Sequence, residues 1–216
     1  RIKLKIRSDV ESEINGMGPV IRKEDLELLY EQLDTLKDDD VLVLAGSIPS
    51  GMPQSIYRDI MSRLQSKRIK IAVDATKDLL MNVLAYHPFV IKPNNHELSE
   101  IFDIMIDSKE KAVVYAKELQ KKGAQNVIVS MAGEGAVFVG SDGSVFTSEA
   151  PHGVVKNSVG AGDSMVAGFL AGYLAKGDYA EAFKMGLCTG SASAFSDQLA
   201  TREEVEQVRR SHIFDF

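Results

Sequence analysis

At 216 residues, 44% hydrophobic and 26% charged, the chain has apolar material for one large domain and too balanced a composition for a disordered or fibrous protein. A net charge of -6 argues against general binding to nucleic acid or anionic membranes, which calls for clustered Lys and Arg, so small-molecule partners are expected. A single cysteine, Cys188, excludes an internal disulfide and fits a reducing compartment, and no apolar run approaches the roughly 20 residues of a membrane span. The expected location is therefore cytoplasmic.

In chain order, residues 1–6 set Ile2, Leu4 and Ile6 against Lys3 and Lys5, the period of a strand with one wet face. Residues 11–16 read as a second short strand ending in a turn at Gly16 and Gly18. Arg1 leads directly into a strand with no Met before it, so the natural start is expected to lie upstream. A helix over 22–36 carries Leu26, Leu29 and Leu33 on one face, and Asp38 to Asp40 close it in solvent. Val41 to Ala45 is a continuous apolar run, which predicts a strand buried on both faces of a parallel sheet.

The loop Gly46-Ser47-Ile48-Pro49-Ser50-Gly51 and a helix over 54–67 come next. A strand over 69–73 ends at Asp74, and a helix runs through Leu79, Leu80, Val83 and Leu84. A short strand over 89–91 delivers Lys92-Pro93-Asn94-Asn95-His96-Glu97 into another helix, and a further helix over 109–121 stops at Gly123. Strands over 127–130 and 136–139 read as a pair around Gly133-Glu134-Gly135, and 145–147 adds one more. After a β-like run at 153–156, small residues lead into a helix with Met165, Val166, Phe169, Leu170, Tyr173 and Leu174. It is apolar nearly all round and so expected to be buried. A helix over 180–196 holds Cys188 as an inert core thiol, and Thr201-Arg202-Glu203-Glu204 caps the last one. The alternation predicts an open, mostly parallel α/β sheet between helix layers, with residues 1–18 as lid strands and their return and 19–216 as the core.

Four polar clusters fall at carboxyl ends of strands, where ligands of such sheets bind: 46–51, 94–97, 130–135 and 160–163. A buried helix opening on Gly160-Ala161-Gly162 aims unpaired N–H groups and a positive dipole end at an anion, and Asp163 would stand beside it as a base. Three of the four also have a plainer reading. Asp163 could merely cap its helix, Asn94 and Glu97 could be an N-cap and a first-turn acid, and Gly133-Glu134-Gly135 could be a hairpin turn. Gly162-Asp163-Ser164-Met165 has a superficial likeness to the Gly-Asp-Ser block of some esterases, with His212 the one late histidine to serve it.

The fourteen residues from Asn157 to Leu170 match position by position the second signature of the PfkB carbohydrate kinases, and the chain resembles that ribokinase-like family over essentially its whole length. The resemblance implies a three-layer ribokinase-like fold with a small β lid, the first hundred or so family positions being absent here. It implies an ATP-dependent sugar-phosphate kinase acting on fructose 1-phosphate, with tagatose 6-phosphate the runner-up and a non-catalytic nucleotide-binding piece the alternative outside enzymology. Asp163 would be the catalytic base, with Gly160, Ala161 and Gly162 holding the transferring phosphoryl group. Ser130-Met131-Ala132-Gly133-Glu134-Gly135 is similar to the family's Ser-x-Gly-x-x-Gly nucleotide loop, departing from it at Ala132, and Gly162, Asp163 and Asn94 would join that loop at the nucleotide. Ala45-Gly46-Ser47-Ile48-Pro49 resembles the sugar loop and puts Ser47 at the substrate with Asp163 and Arg1. Asn94 and Glu97 match an Asn-x-x-Glu element that serves magnesium, mostly through water. A homodimer through the lid completes what the resemblance implies.

Overall fold

The computed structural model describes residues 3–6, 12–15, 20–49 and 51–216, the first two segments as backbone. β1 (Lys3–Ile6) and β2 (Ser12–Asn15) pair antiparallel in a ribbon of their own, separate from the main sheet. The main sheet runs β3 (Val41–Ala45), β4 (Lys70–Asp74), β5 (Val90–Ile91), β6 (Asn126–Ser130), β7 (Ala136–Val139) and β8 (Val145–Ser148), in that spatial order. β3 to β6 are parallel, while β7 and β8 pair antiparallel.

Parallel neighbours cannot be joined by a tight turn, so each pair needs a crossover. α2 (Ile56–Leu64) joins β3 to β4. α3 (Lys77–Met81) with a 3-10 turn joins β4 to β5, and α4 (Asn95–Phe102) with α5 (Lys109–Lys121) joins β5 to β6. α1 (Lys23–Asp34) precedes β3, and α6 (Ala161–Lys176), α7 (Tyr179–Phe195) and α8 (Arg202–Ser211) follow β8.

Side-chain alternation along the central strands sorts the core into two layers. Ile71, Val73, Val127, Val129, Val137 and Val139 join one apolar cluster with Leu33 of α1, Ile60 of α2, Leu98 of α4 and Leu119 of α5. Their neighbours Ala72, Ile128, Ala136 and Phe138 point the other way, against Met165, Phe169, Phe183 and Leu187 of α6 and α7. Helices therefore cover both faces, as the sequence pattern implies. Cys188 lies buried in the α7–α8 contact, and burial pushes its thiol up to about 11, which fits the inert reading.

Three expectations are corrected. β3 is not buried on both faces: Val43 is 45% exposed, because the face it shares with Ala45 lines an open cavity instead of meeting a packed helix. Residues 153–156 are not a strand, since the Lys156 and Asn157 N–H groups donate to Ala194 O of α7 instead of to a strand partner. α6 is not buried all round either. Asp163, Ala167, Ala171 and Leu174 form one exposed stripe at helical spacing, on the side that neither the sheet nor α7 covers.

Candidate active site

Small residues lead the chain into α6, whose N-cap Gly160 sits at φ +80 and whose first turn is Ala161, Gly162 and Asp163. The opening amides of a helix have no carbonyl four residues back, so together with the aligned peptide dipoles they favour an anion. The expectation of three such donors narrows here, because the Ala161 N–H already donates to Ser158 O at 3.3 Å. A cavity of about 370 Å3 opens at the carboxyl ends of β3 and β4, lined by Ala45, Gly46, Asp74, Asp163, Val166 and Ala167. Asp163 therefore faces the same space as the start of the 46–49 loop.

Beneath the first turn of α6 lies a buried ion pair, Lys92 Nζ to Asp74 Oδ2 at 3.2 Å, with side chains only 7% and 19% exposed. Burial pushes the Asp74 carboxyl above the usual carboxylate range, the Lys92 ammonium pulls it back, and the Asp163 carboxylate adds a further upward push. A Cβ on Gly162 would stand 3.1 Å from Lys92 Nζ, so a side chain at 162 would press on the ammonium. Neither Asp74 nor Lys92 was singled out from the sequence. The available signal was position, since both are charged residues at the carboxyl ends of buried parallel strands.

Lys92 and Pro93 lead into Asn94, the N-cap of α4. Its Oδ1 accepts from the Glu97 N–H at 2.8 Å, and its N–H donates to Glu97 Oε2 at 2.8 Å. The plainer reading of these two residues as a reciprocal cap is thus realised. Burial raises the Glu97 carboxyl above its ordinary value, against the pull of the Asn94 N–H and of Lys92. Asn94 also makes a parallel bridge to Ser130, and the Ser130 N–H donates to Pro93 O at 3.1 Å, which ties this cap to the loop between β6 and β7.

That loop is a hairpin connection with a 3-10 turn at Ala132–Glu134, closed by the Met131 N–H to Gly135 O at 2.8 Å. Gly135 is required there. It has φ +90, and a Cβ would lie 2.0 Å from Ser148 O. Ala132, where the family's loop has Gly, adopts φ +48, so the preference at this position is explained by a left-handed backbone that alanine takes at a cost. Ala132, Gly133 and Glu134 are exposed, while Met131 and Gly135 are buried.

Two groups thus form, Ser130 with Asn94 and Glu97, and Lys92 with Asp74 and Gly46 beneath Gly162 and Asp163, and the Lys92 charge acts on the carboxyls of both Glu97 and Asp74. Ser47 is exposed one residue beyond the cavity lining, and Arg1 lies outside the described residues. For magnesium, the oxygen donors Asn94, Glu97 and Asp74 are of the hard kind it takes. Among the described residues, however, no three metal-ligating side chains converge, and the cap already uses Asn94 Oδ1 and Glu97 Oε2. This set fits a magnesium that arrives on phosphate and keeps its waters. The esterase likeness fails: Ser164 is buried and accepts from Ser193 Oγ at 2.8 Å, whereas His212 Nε2 lies 3.2 Å from Ser148 Oγ. No described helix is long and apolar enough to cross a membrane.

Residues 2–204 match the family model described as pfkB family carbohydrate kinase. The 1-phosphofructokinase of Bacillus subtilis is 44% identical over 208 residues, covering 96% of this chain and 68% of that protein. The D-tagatose-1-phosphate kinase of Bacillus licheniformis is 29% identical over the same share of each chain, 96% and 68%. Among solved structures, phosphofructokinase-2 from Escherichia coli in complex with substrates and products superposes with a TM-score of 0.88 at 25% identity, covering 96% of this chain and 69% of that one.

Proposed function

The chain belongs to the pfkB family of carbohydrate kinases, a family of phosphotransferases, and from that premise we propose that it transfers the γ-phosphoryl group of ATP to fructose 1-phosphate, giving fructose 1,6-bisphosphate and ADP. The observation that carries the reading is Asp163, set in the first turn of α6 at the mouth of the cavity that Gly46 and Asp74 also line. The sugar hydroxyl attacks the γ-phosphorus, the bond from that phosphorus to the β–γ bridging oxygen breaks, and the hydroxyl proton passes to Asp163. A carboxylate is a weak base, so its contribution lies in alignment with a hydroxyl whose proton leaves late. The N–H groups of Gly162 and Asp163, with Ala161 and Gly160 shaping the turn, receive the charge that develops on the phosphoryl oxygens. Ser130 to Gly135 and Asn94 hold the nucleotide phosphates, and Ser47 and Arg1 serve the sugar phosphate. Magnesium carried by the nucleotide would supply charge neutralisation, and Asn94 and Glu97 would hold it through its waters.

A second reading has specific support: a tagatose 1-phosphate kinase, from the relative named for that substrate. It stands beside the tagatose 6-phosphate alternative that the family resemblance implies. The β1–β2 ribbon fits the part of a lid over the sugar, and because a two-stranded ribbon is marginal alone, pairing with a second copy belongs to the same proposal. The test is a panel of fructose 1-phosphate, tagatose 1-phosphate, tagatose 6-phosphate and fructose 6-phosphate with Mg-ATP, using the complete protein. The highest kcat/KM is expected for fructose 1-phosphate, and a preference for any other member overturns the assignment.

A further inference from the structure

We propose that Tyr57 is a positioning residue for the sugar phosphate, its hydroxyl latching the 46–49 loop at the point where that loop leaves β3. The proposal rests on the kinase reading above. Tyr57 stands in the first turn of α2 and reaches back 12 residues in sequence, its hydroxyl lying 2.7 Å from Ala45 O and 3.1 Å from Gly46 O. One O–H thus donates to the two carbonyls that open the loop, more closely to Ala45.

The place of these carbonyls gives the bond its consequence. β3 pairs with β4, and just past that pairing the Gly46 N–H donates to Asp74 O at 3.0 Å. The Tyr57 hydroxyl adds a second tie at the base of the loop, from the side of α2. Ala45, Gly46 and Asp74 all line the cavity that Asp163 faces, so a loop loosened at this point changes where Ser47 stands relative to Asp163. The nucleotide elements are tied to the core through α4, β6 and α6 and do not pass through this latch.

Two features suit Tyr57 to the task. Its ring packs on the core cluster that holds Ile56 and Ile60, with Ile48 and Met52 of the same loop against that cluster, so the hydroxyl is aimed by buried apolar contacts. Burial and the nearby Asp74 carboxylate push the phenol above its usual value, which keeps it a donor throughout the neutral range.

The test uses Tyr57→Phe in the complete protein, which keeps the ring and removes the hydroxyl. With one shared hydrogen bond lost, amide exchange at Gly46, whose N–H donates to Asp74 O at the base of the loop, is expected to quicken about 3- to 10-fold while Val73 in β4 keeps its rate. The KM for fructose 1-phosphate is expected to rise by a similar factor, about 3- to 10-fold, with the KM for ATP within about 2-fold. A generally loosened protein would move both KM values and both amides. Loop exchange at the wild-type rate, an unchanged sugar KM, or a joint rise in the two KM values overturns the proposal. A wild-type protein that phosphorylates no sugar phosphate overturns the kinase reading and the Tyr57 role together. An active wild type with an indistinguishable Tyr57→Phe variant overturns the Tyr57 role alone.

Discussion

The two sides of the cavity are built differently. On the side proposed for the nucleotide, the cap of Asn94 and Glu97 and the Asn94 bridge to Ser130 sit at the ends of central strands, and α6 packs on the sheet. On the side proposed for the sugar phosphate, the 46–49 loop leaves β3, whose Val43 is 45% exposed, and the β1–β2 ribbon belongs to a separate sheet. The difference teaches where each kind of specificity is kept. Phosphoryl chemistry depends on fixed charges and dipoles, and these stay in place only when the core over-determines them. On the proposed roles, sugar choice would rest on the 46–49 loop and the ribbon, and relatives of similar coverage are named for different sugar phosphates.

The comparison can be broken or sharpened in four ways. The largest effect is expected at Asp163. Asp163→Asn should lower turnover at least ~100-fold, within the range of a lost general base, while ATP affinity by calorimetry changes only a few fold. Near-normal turnover in the complete protein would remove Asp163 from the base role and with it the claim that the chemistry is anchored on α6.

Next comes the ion pair beneath that turn. Lys92→Met strands a buried carboxylate and is expected to cost about 3 kcal/mol at pH 8, the scale of breaking a buried pair. Sign and window follow from Asp74. Its folded pKa already lies above the usual carboxylate value and rises further without Lys92, so the folded state binds the proton more tightly than the unfolded one. The favourable contribution is complete below the unfolded value and is lost as pH rises through the folded one. The deficit of Lys92→Met should therefore be smaller at pH 5 than at pH 8, as read by urea unfolding at both. Equal deficits would show that Asp74 does not sense the lysine. Adding Asp74→Asn should return most of the stability, because no buried charge is left unpaired.

A smaller effect separates the two halves directly. The residues proposed for the nucleotide all lie among the described ones, whereas Arg1, proposed for the sugar phosphate, does not. The 216-residue chain is accordingly expected to bind ATP at least about 10-fold more tightly than fructose 1-phosphate, a difference calorimetry resolves easily. Equal affinities would mean that the sugar side is as well organised as the nucleotide side.

The smallest effect concerns the β6–β7 loop. Ala132 holds φ +48, a region that suits glycine, so Ala132→Gly is expected to stabilise the protein by about 0.5–1 kcal/mol in urea unfolding. A loss of stability would show that the Ala132 methyl group makes contacts that outweigh the backbone strain.

Local pattern alone determined a good part of this protein. The helix expected over 109–121 and stopped at Gly123 forms as α5, Lys109–Lys121. The spacings Asn94 to Glu97 and Thr201 to Glu204 announced caps that both form, and the alternation of strands and helices implied a sheet covered on two sides. These features depend on groups within a few residues of one another, so their geometry is written into the sequence spacing. The fourteen residues ending at Leu170 carried the family and pointed to Asp163 for the same reason, since they describe one loop and one helix start.

What tertiary structure decided lies between segments. The pairing of Lys92 with Asp74 exists because β4 and β5 become parallel neighbours, and no period along the chain states which strands will be adjacent. The half-exposed face of β3 follows from the cavity it lines with Asp163 and Ala167 of α6, since an apolar run reads alike whether its face meets a packed helix or an open space. Valines at 154 and 155 look like strand, yet the Lys156 and Asn157 amides beyond them are claimed by the end of α7. Tyr57 carried no signal at all, because a tyrosine in an amphipathic helix is ordinarily a packing residue, and only the return of α2 beneath the end of β3 brings its hydroxyl to those carbonyls. Hydrogen bonds and charges act over a few ångströms of space, and the chain folds distant segments into that range by burying apolar surface that has no knowledge of which polar groups it carries along.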